Sequence, residues 1–144
     1  LDGSRMPSVE WQMHWAGYDA RPDSTGAVHT HAPIATAFGI CNQRFDPINT
    51  DAIALADTVT VPWFMPGSGE LAEAVGEALK KSRGAILQNH GLMAVGEDLR
   101  KAATRAAMIE ETAKLQLYIK QFGGTVSLLP DEWVKKLAPI KDFL

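Results

Sequence analysis

The chain has 144 residues, 46% of them hydrophobic, which is one domain's worth of sequence able to bury a core. A formal charge of -3 lacks the basic excess of a nucleic-acid scaffold, so small molecules or protein partners are expected and nucleic acid is not. The single Cys41 allows no internal disulfide, no apolar run approaches the roughly 20 residues that span a bilayer, and the first residues do not read as a signal peptide, so a soluble cytoplasmic protein without a membrane partner is expected.

The opening "LDG" reads like the end of a strand whose body is absent, so the sequence is expected to be an N-terminally truncated fragment. Residues 6–22, "MPSVEWQMHWAGYDARP", predict a helix that starts at Pro7 and ends at Arg21, because Pro22 disfavours helix in the residue before it. Val9, Met13, Ala16 and Ala20 would form its buried stripe. Glu10, His14 and Tyr18 would share another strip, facing either a site or water. After the turn-like "RPDSTG", residues 25–31, "TGAVHTH", favour a short strand, and 32–42, "APIATAFGICN", a helix with Pro33 in its first turn. A second strand is expected over 58–63, closed by Pro62 and the loop "MPGSG".

Residues 70–82 have the spacing of an amphipathic helix with Leu71, Val75, Ala78 and Leu79 inward, capped by Ser68 or Gly69. "GAILQNHGLMAVG", residues 84–96, suggests two strand-like segments around a break at "NHG", where Gly91 can take backbone angles other residues avoid. A long helix follows over 97–122, with an alanine-rich stripe through Leu99, Ala102, Ala106, Ile109, Ala113 and Leu117 that calls for a closely packed neighbour. "GG" at 123 and 124 ends it, and 129–140 holds a short terminal helix. Helices alternating with short strands, without repeats or an interdomain linker, imply an α/β or α+β sandwich formed as one domain over 1–144.

On a strand, residues two apart point to the same face, so His29 and His31 project together at roughly 6 to 7 Å between backbones, within reach of one ion. A catalytic zinc site takes three protein ligands and leaves a position open. His90, on a glycine-flanked break after an apolar strand, is the best third candidate, since such a turn presents its side chain at the rim of the sheet. A hydrogen-bonded core pair remains open for His29 and His31 on spacing alone. Glu10 could serve as ligand or proton carrier, or simply favour the first turn of its helix through the dipole. A β-lactamase-like metallohydrolase would want an acid and a further histidine just after the pair, which "HTHAPI" lacks. "PGSGE" at 66–70 reads as a turn and cap rather than an anion site, and "KKSR" at 80–83 as a solvated helix end.

The stretches "PSVEWQMHWAGYDARPDSTGAVHTHAPIATA" and "AILQNHGLMAVGEDLRKAATRAAMIEETAKLQL" closely resemble the class II aldolase and adducin family. The likeness is carried by a glutamate ahead of W-x-x-H, the R-P-D turn, the V-H-T-H pair and N-H-G-L. It implies His29, His31 and His90 as zinc ligands, with Mn2+ or Co2+ as other candidates, and Glu10 as the catalytic acid/base. It also implies a three-layer α/β/α sandwich around a mostly antiparallel sheet, and a homotetramer with active sites at subunit contacts. The implied reaction is aldol cleavage of a phosphorylated ketose or sugar acid through a zinc-stabilised enediolate, without a lysine Schiff base. Related epimerases, decarboxylases and dehydratases share such a metal site, and an adducin-like interaction module would need none of it. Two departures concern substrate: of the serine pair the family places ahead of the glutamate to bind phosphate, Ser8 matches one while Val9 replaces the other, and neither Tyr18 nor Tyr118 matches a family tyrosine.

Overall fold

The computed structural model describes residue 4 and residues 6–143; the "LDG" strand end lies outside the described residues. Its elements in chain order are α1 (Trp11–Ala20), β1 (Gly26–Thr30), α2 (Pro33–Ile40), α3 (Thr50–Ala54), β2 (Val59–Val61), α4 (Gly69–Leu79), β3 (Gly84–Leu87), β4 (Gly91–Gly96), α5 (Leu99–Phe122) and α6 (Asp131–Leu137), followed by a 3-10 segment, Ala138–Phe143.

The strands form one sheet in the order β1-β4-β3-β2. Every residue of β3 and β4 is buried, and the period of two divides them between two cores. Ala85, Leu87, Met93 and Val95 meet Met13 of α1 and Leu71, Val75 and Leu79 of α4. On the opposite face Ile86, Leu92 and Ala94 meet Ala35 and Phe38 of α2, Leu55 after α3, and Ala106, Ile109 and Ala113 of α5. Helices on both faces of the sheet make the expected three-layer α/β/α sandwich.

The sheet is mixed rather than mostly antiparallel. β1 with β4 and β4 with β3 are antiparallel, but β2 with β3 is parallel. The difference lies in the connections. A tight turn joins β3 to β4, whereas α4 carries the chain from β2 back to the same end of the sheet before β3 begins, and such a crossover makes parallel neighbours.

Local hydrogen bonds set the starts of several helices. α1 begins at Trp11 and not at Pro7, because residues 8–10 form a turn in which the Trp11 amide donates to the Ser8 carbonyl, and the Met13 and His14 amides donate to that of Glu10. Val9 is consequently 78% exposed, outside the stripe expected for it, and Gly17 joins Met13 in the core instead. Ser68 Oγ accepts from the Leu71 amide at 3.1 Å, and Asp98 Oδ1 accepts from the Lys101 amide at 2.7 Å, starting α4 and α5. On α5 the inner stripe is buried as expected, while Leu99 and Leu117 at its ends are exposed. The unexpected α3 is capped by Asn49 Oδ1, which accepts from the Ala52 amide at 2.8 Å. No helix among the described residues is long and apolar enough to cross a membrane.

Candidate metal centre

Three segments meet at one end of the β1–β4 pair. His29 lies on β1 opposite Met93, and His31 follows just beyond the strand. His90 occupies the β3–β4 turn, where its amide donates to the Leu87 carbonyl at 3.0 Å. Asn89 makes that turn with φ +61°, while Gly91 gives room: a Cβ there would lie 2.3 Å from the Thr30 carbonyl oxygen of β1. The close approach brings the His90 ring centroid to 4.9 Å from that of His29 and 5.1 Å from that of His31, with 5.1 Å between His29 and His31. One ligand atom from each of the three lies within 4.8 Å of the others.

The protonation of the set suits a cation. His29 Nδ1 is 2.9 Å from the Leu92 carbonyl, and because a carbonyl only accepts, Nδ1 carries the proton and Nε2 keeps its lone pair. Burial pushes His29 below the usual imidazole range against that hydrogen bond, and His90 and His31 push it further down. His90 is lowered by burial too, opposed by the Glu10 carboxylate. Both are therefore neutral near pH 7, the ligating form.

Glu10 is only 7% exposed, and its Oε1 lies 3.8 Å from His90 Nε2. Its Oε2, together with His29 Nε2 and His90 Nδ1, is buried without a hydrogen-bond partner among the described residues. Buried polar atoms are nearly always satisfied. Three imidazoles that bring one nitrogen each within 4.8 Å of one another, with a buried carboxylate beside them, fit a bound cation, and an all-imidazole set is one that zinc favours.

The remaining sequence candidates divide. Ser8 Oγ accepts from the Glu10 amide at 3.1 Å, so it orients the turn that carries the carboxylate. The expected strip of Glu10, His14 and Tyr18 does not exist as one face, since Glu10 precedes α1 and is buried while Tyr18 is exposed. Ser68 is a helix cap, as "PGSGE" suggested. "KKSR" is more than a solvated end: Arg83 Nη2 donates to Asp23 Oδ2 at 2.7 Å, and Ser82 is buried. Arg21 and Arg83 together hold Asp23 down at about 2, mainly through the Arg21 hydrogen bond. Sequence reasoning passed over Glu110, whose carboxylate reaches the chain just after His31. Its only trace in the sequence is Ala32 ahead of Pro33, a helix start with no cap of its own.

Comparison with known proteins gives a consistent picture. The family described as Class II Aldolase and Adducin N-terminal domain matches residues 1–117. L-fuculose phosphate aldolase of Escherichia coli strain K12 is 37% identical over 131 residues, covering 89% of this chain. The 3-oxo-tetronate 4-phosphate decarboxylase of Haemophilus influenzae is 31% identical over 144 residues, covering 95% of this chain and 67% of that enzyme. A solved L-fuculose 1-phosphate aldolase superposes with a TM-score of 0.86 at 30% identity, over 99% of this chain and 68% of that one. The chain spans 60% of the length of the Escherichia coli aldolase it matches.

Proposed function

Because the chain belongs to the class II aldolase and adducin family, we propose that it is a metal-dependent carbon–carbon lyase acting on a phosphorylated ketose or sugar acid. The observation that carries this reading is the meeting of three histidines beside a buried carboxylate whose Oε2 has no hydrogen-bond partner among the described residues. His29, His31 and His90 would each give one nitrogen to a divalent cation, zinc first by the chemistry of imidazole, with Mn2+ or Co2+ as substitutes. Held there, such a cation would supply Lewis-acid stabilisation of negative charge on substrate oxygens.

The chain's own residues do the rest. Glu10, whose Oε1 is 3.8 Å from His90 Nε2, would take a proton from a substrate bound against the histidines and return one to the carbon left electron-rich when the carbon–carbon bond breaks. The Leu92 carbonyl holds the His29 ring in the ligating tautomer. The Ser8 hydroxyl accepts from the Glu10 amide and so keeps its own proton to donate to a phosphate oxygen. This reading assigns no lysine a catalytic role.

The same site suits the loss of carbon dioxide from a phosphorylated 3-oxo acid, a second reading favoured by the 31% identity to the Haemophilus influenzae decarboxylase. A screen of phosphorylated ketoses and 3-oxo acids separates the two by product, aldehyde or carbon dioxide. In this reading residues 1–144 act as one domain of a cytoplasmic homotetramer. Apolar side chains left in water, Trp11, Trp15, Trp63 and Met65, support a covered surface of that kind.

Glu10→Gln tests the assignment. It keeps the shape but cannot accept a proton, so bound metal should be unchanged and turnover should fall roughly 10²- to 10⁴-fold. Unchanged turnover would refute the role given to Glu10.

A further inference from the structure

The start of α2 has an unusual cap. Its N-cap position is Ala32, which has no side-chain acceptor, and Pro33 follows without an N–H. The first free donors of the helix, the amides of Ile34 and Ala35, are instead both taken by one carboxylate: Glu110 Oε1 accepts from Ile34 at 3.1 Å and Oε2 from Ala35 at 2.7 Å. Glu110 lies on α5, more than 70 residues downstream, so the contact locks α2 to the long helix and places negative charge at the positive end of α2.

Immediately before this clamp stands His31. It has left β1, where Thr30 is the last residue paired with β4, and it is exposed. Its backbone is held by the strand on one side and by the clamped start of α2 on the other. His31, Ala32, Pro33 and Glu110 line one groove of about 410 Å³. His29 needs no such help, since it sits within the paired strand and its ring is tied to Leu92.

We infer that Glu110 is a positioning residue for the metal centre: by accepting from Ile34 and Ala35 it fixes the segment that aims His31 at the other two histidines. The inference rests on the proposed metal site. It distinguishes the three ligands, since two are set by the sheet and its turn while the third is set by a helix cap supplied from α5. Glutamine at position 110 would present one acceptor oxygen and one NH2 group to two N–H donors, so one of the two hydrogen bonds becomes a repulsive contact.

The test is the Zn2+ dissociation constant, by competition with a chromophoric chelator, and the Co2+ absorption spectrum, for wild type and the variants Glu110→Gln, Glu110→Asp and Gln116→Ala. Gln116 is the matched control. It is a buried α5 side chain that also clasps backbone, accepting from the Asp46 amide at 3.1 Å and donating to the Arg44 carbonyl at 2.9 Å, in the segment that follows α2. Glu110→Gln is expected to weaken Zn2+ binding roughly tenfold or more and to shift the Co2+ bands. Glu110→Asp, which keeps both acceptor oxygens, recovers part of the affinity, and Gln116→Ala lowers the melting temperature with Zn2+ affinity within twofold of wild type. Zn2+ binding by Glu110→Gln within twofold of wild type, or an equal loss in Gln116→Ala, overturns the role of Glu110 and leaves the metal centre standing. A wild-type chain that binds neither metal overturns the centre itself and this assignment with it.

Discussion

Asn89 bears the backbone angle on which the site turns. With φ +61° it sits in the left-handed region that L side chains other than asparagine and aspartate rarely adopt, and it carries the chain from β3 to His90. Asn89→Ala should therefore destabilise the protein by about 1 to 2 kcal/mol, while Asn89→Gly should be near neutral, read from urea unfolding. Equal stability of the two variants would contradict the strain argument. The sequence reading assigned that conformational freedom to Gly91, the residue beside it. The structure gives Gly91 a different necessity, since a Cβ there would collide with the Thr30 carbonyl. The "NHG" triplet announced a turn, but which residue turns and which merely makes room depends on how close β1 lies, and that is a tertiary fact. His29 and His31 were legible for the opposite reason. The two-residue period of a strand, which is local, puts them on one face in the sequence, although β1 itself ends at Thr30 and His31 lies just beyond it.

At the scale of elements, the readings that held were those with a strong period and a nearby cap. α4 repeats its apolar residues on one face and carries Ser68 directly ahead of it, and both features appear as expected. Ser68→Ala should cost about 1 kcal/mol, seen as a lower urea midpoint with an unchanged slope. A change in slope would mean that more than a cap had been lost. α1 failed at its start because Pro7 is a good first helical residue in isolation, whereas Ser8 Oγ accepts from the Glu10 amide and the turn it forms delays the helix to Trp11. That same turn buries the Glu10 carboxylate beside His90, so the misplaced helix end and the site are one event. α3, five residues long, is too short for any period to register. The cap on α2 was invisible because its acceptor, Glu110, arrives from another helix.

For the whole molecule, alternation of helices and strands gave the layered class, and the resemblance gave the sandwich. The sheet order β1-β4-β3-β2, with one parallel pair, was not legible, since the short β2 can pair either way until α4 fixes its direction. What the fold accomplishes is a meeting of distant sequence. Glu10 precedes the first helix, His29 lies on β1 with His31 just beyond it, and His90 turns between β3 and β4. Glu10 is set by a serine-assisted turn, His29 by strand register and His90 by the turn that Asn89 makes. Buried polar atoms of Glu10, His29 and His90 that find no partner among the described residues are costly unless a bound group satisfies them. Metal content of protein purified without chelator therefore tests the central claim most directly. One divalent cation per chain, lost in His90→Ala while that variant keeps its far-ultraviolet circular dichroism, is the predicted result. A folded wild-type chain without stoichiometric metal, or a His90→Ala chain that holds it equally well, would contradict it.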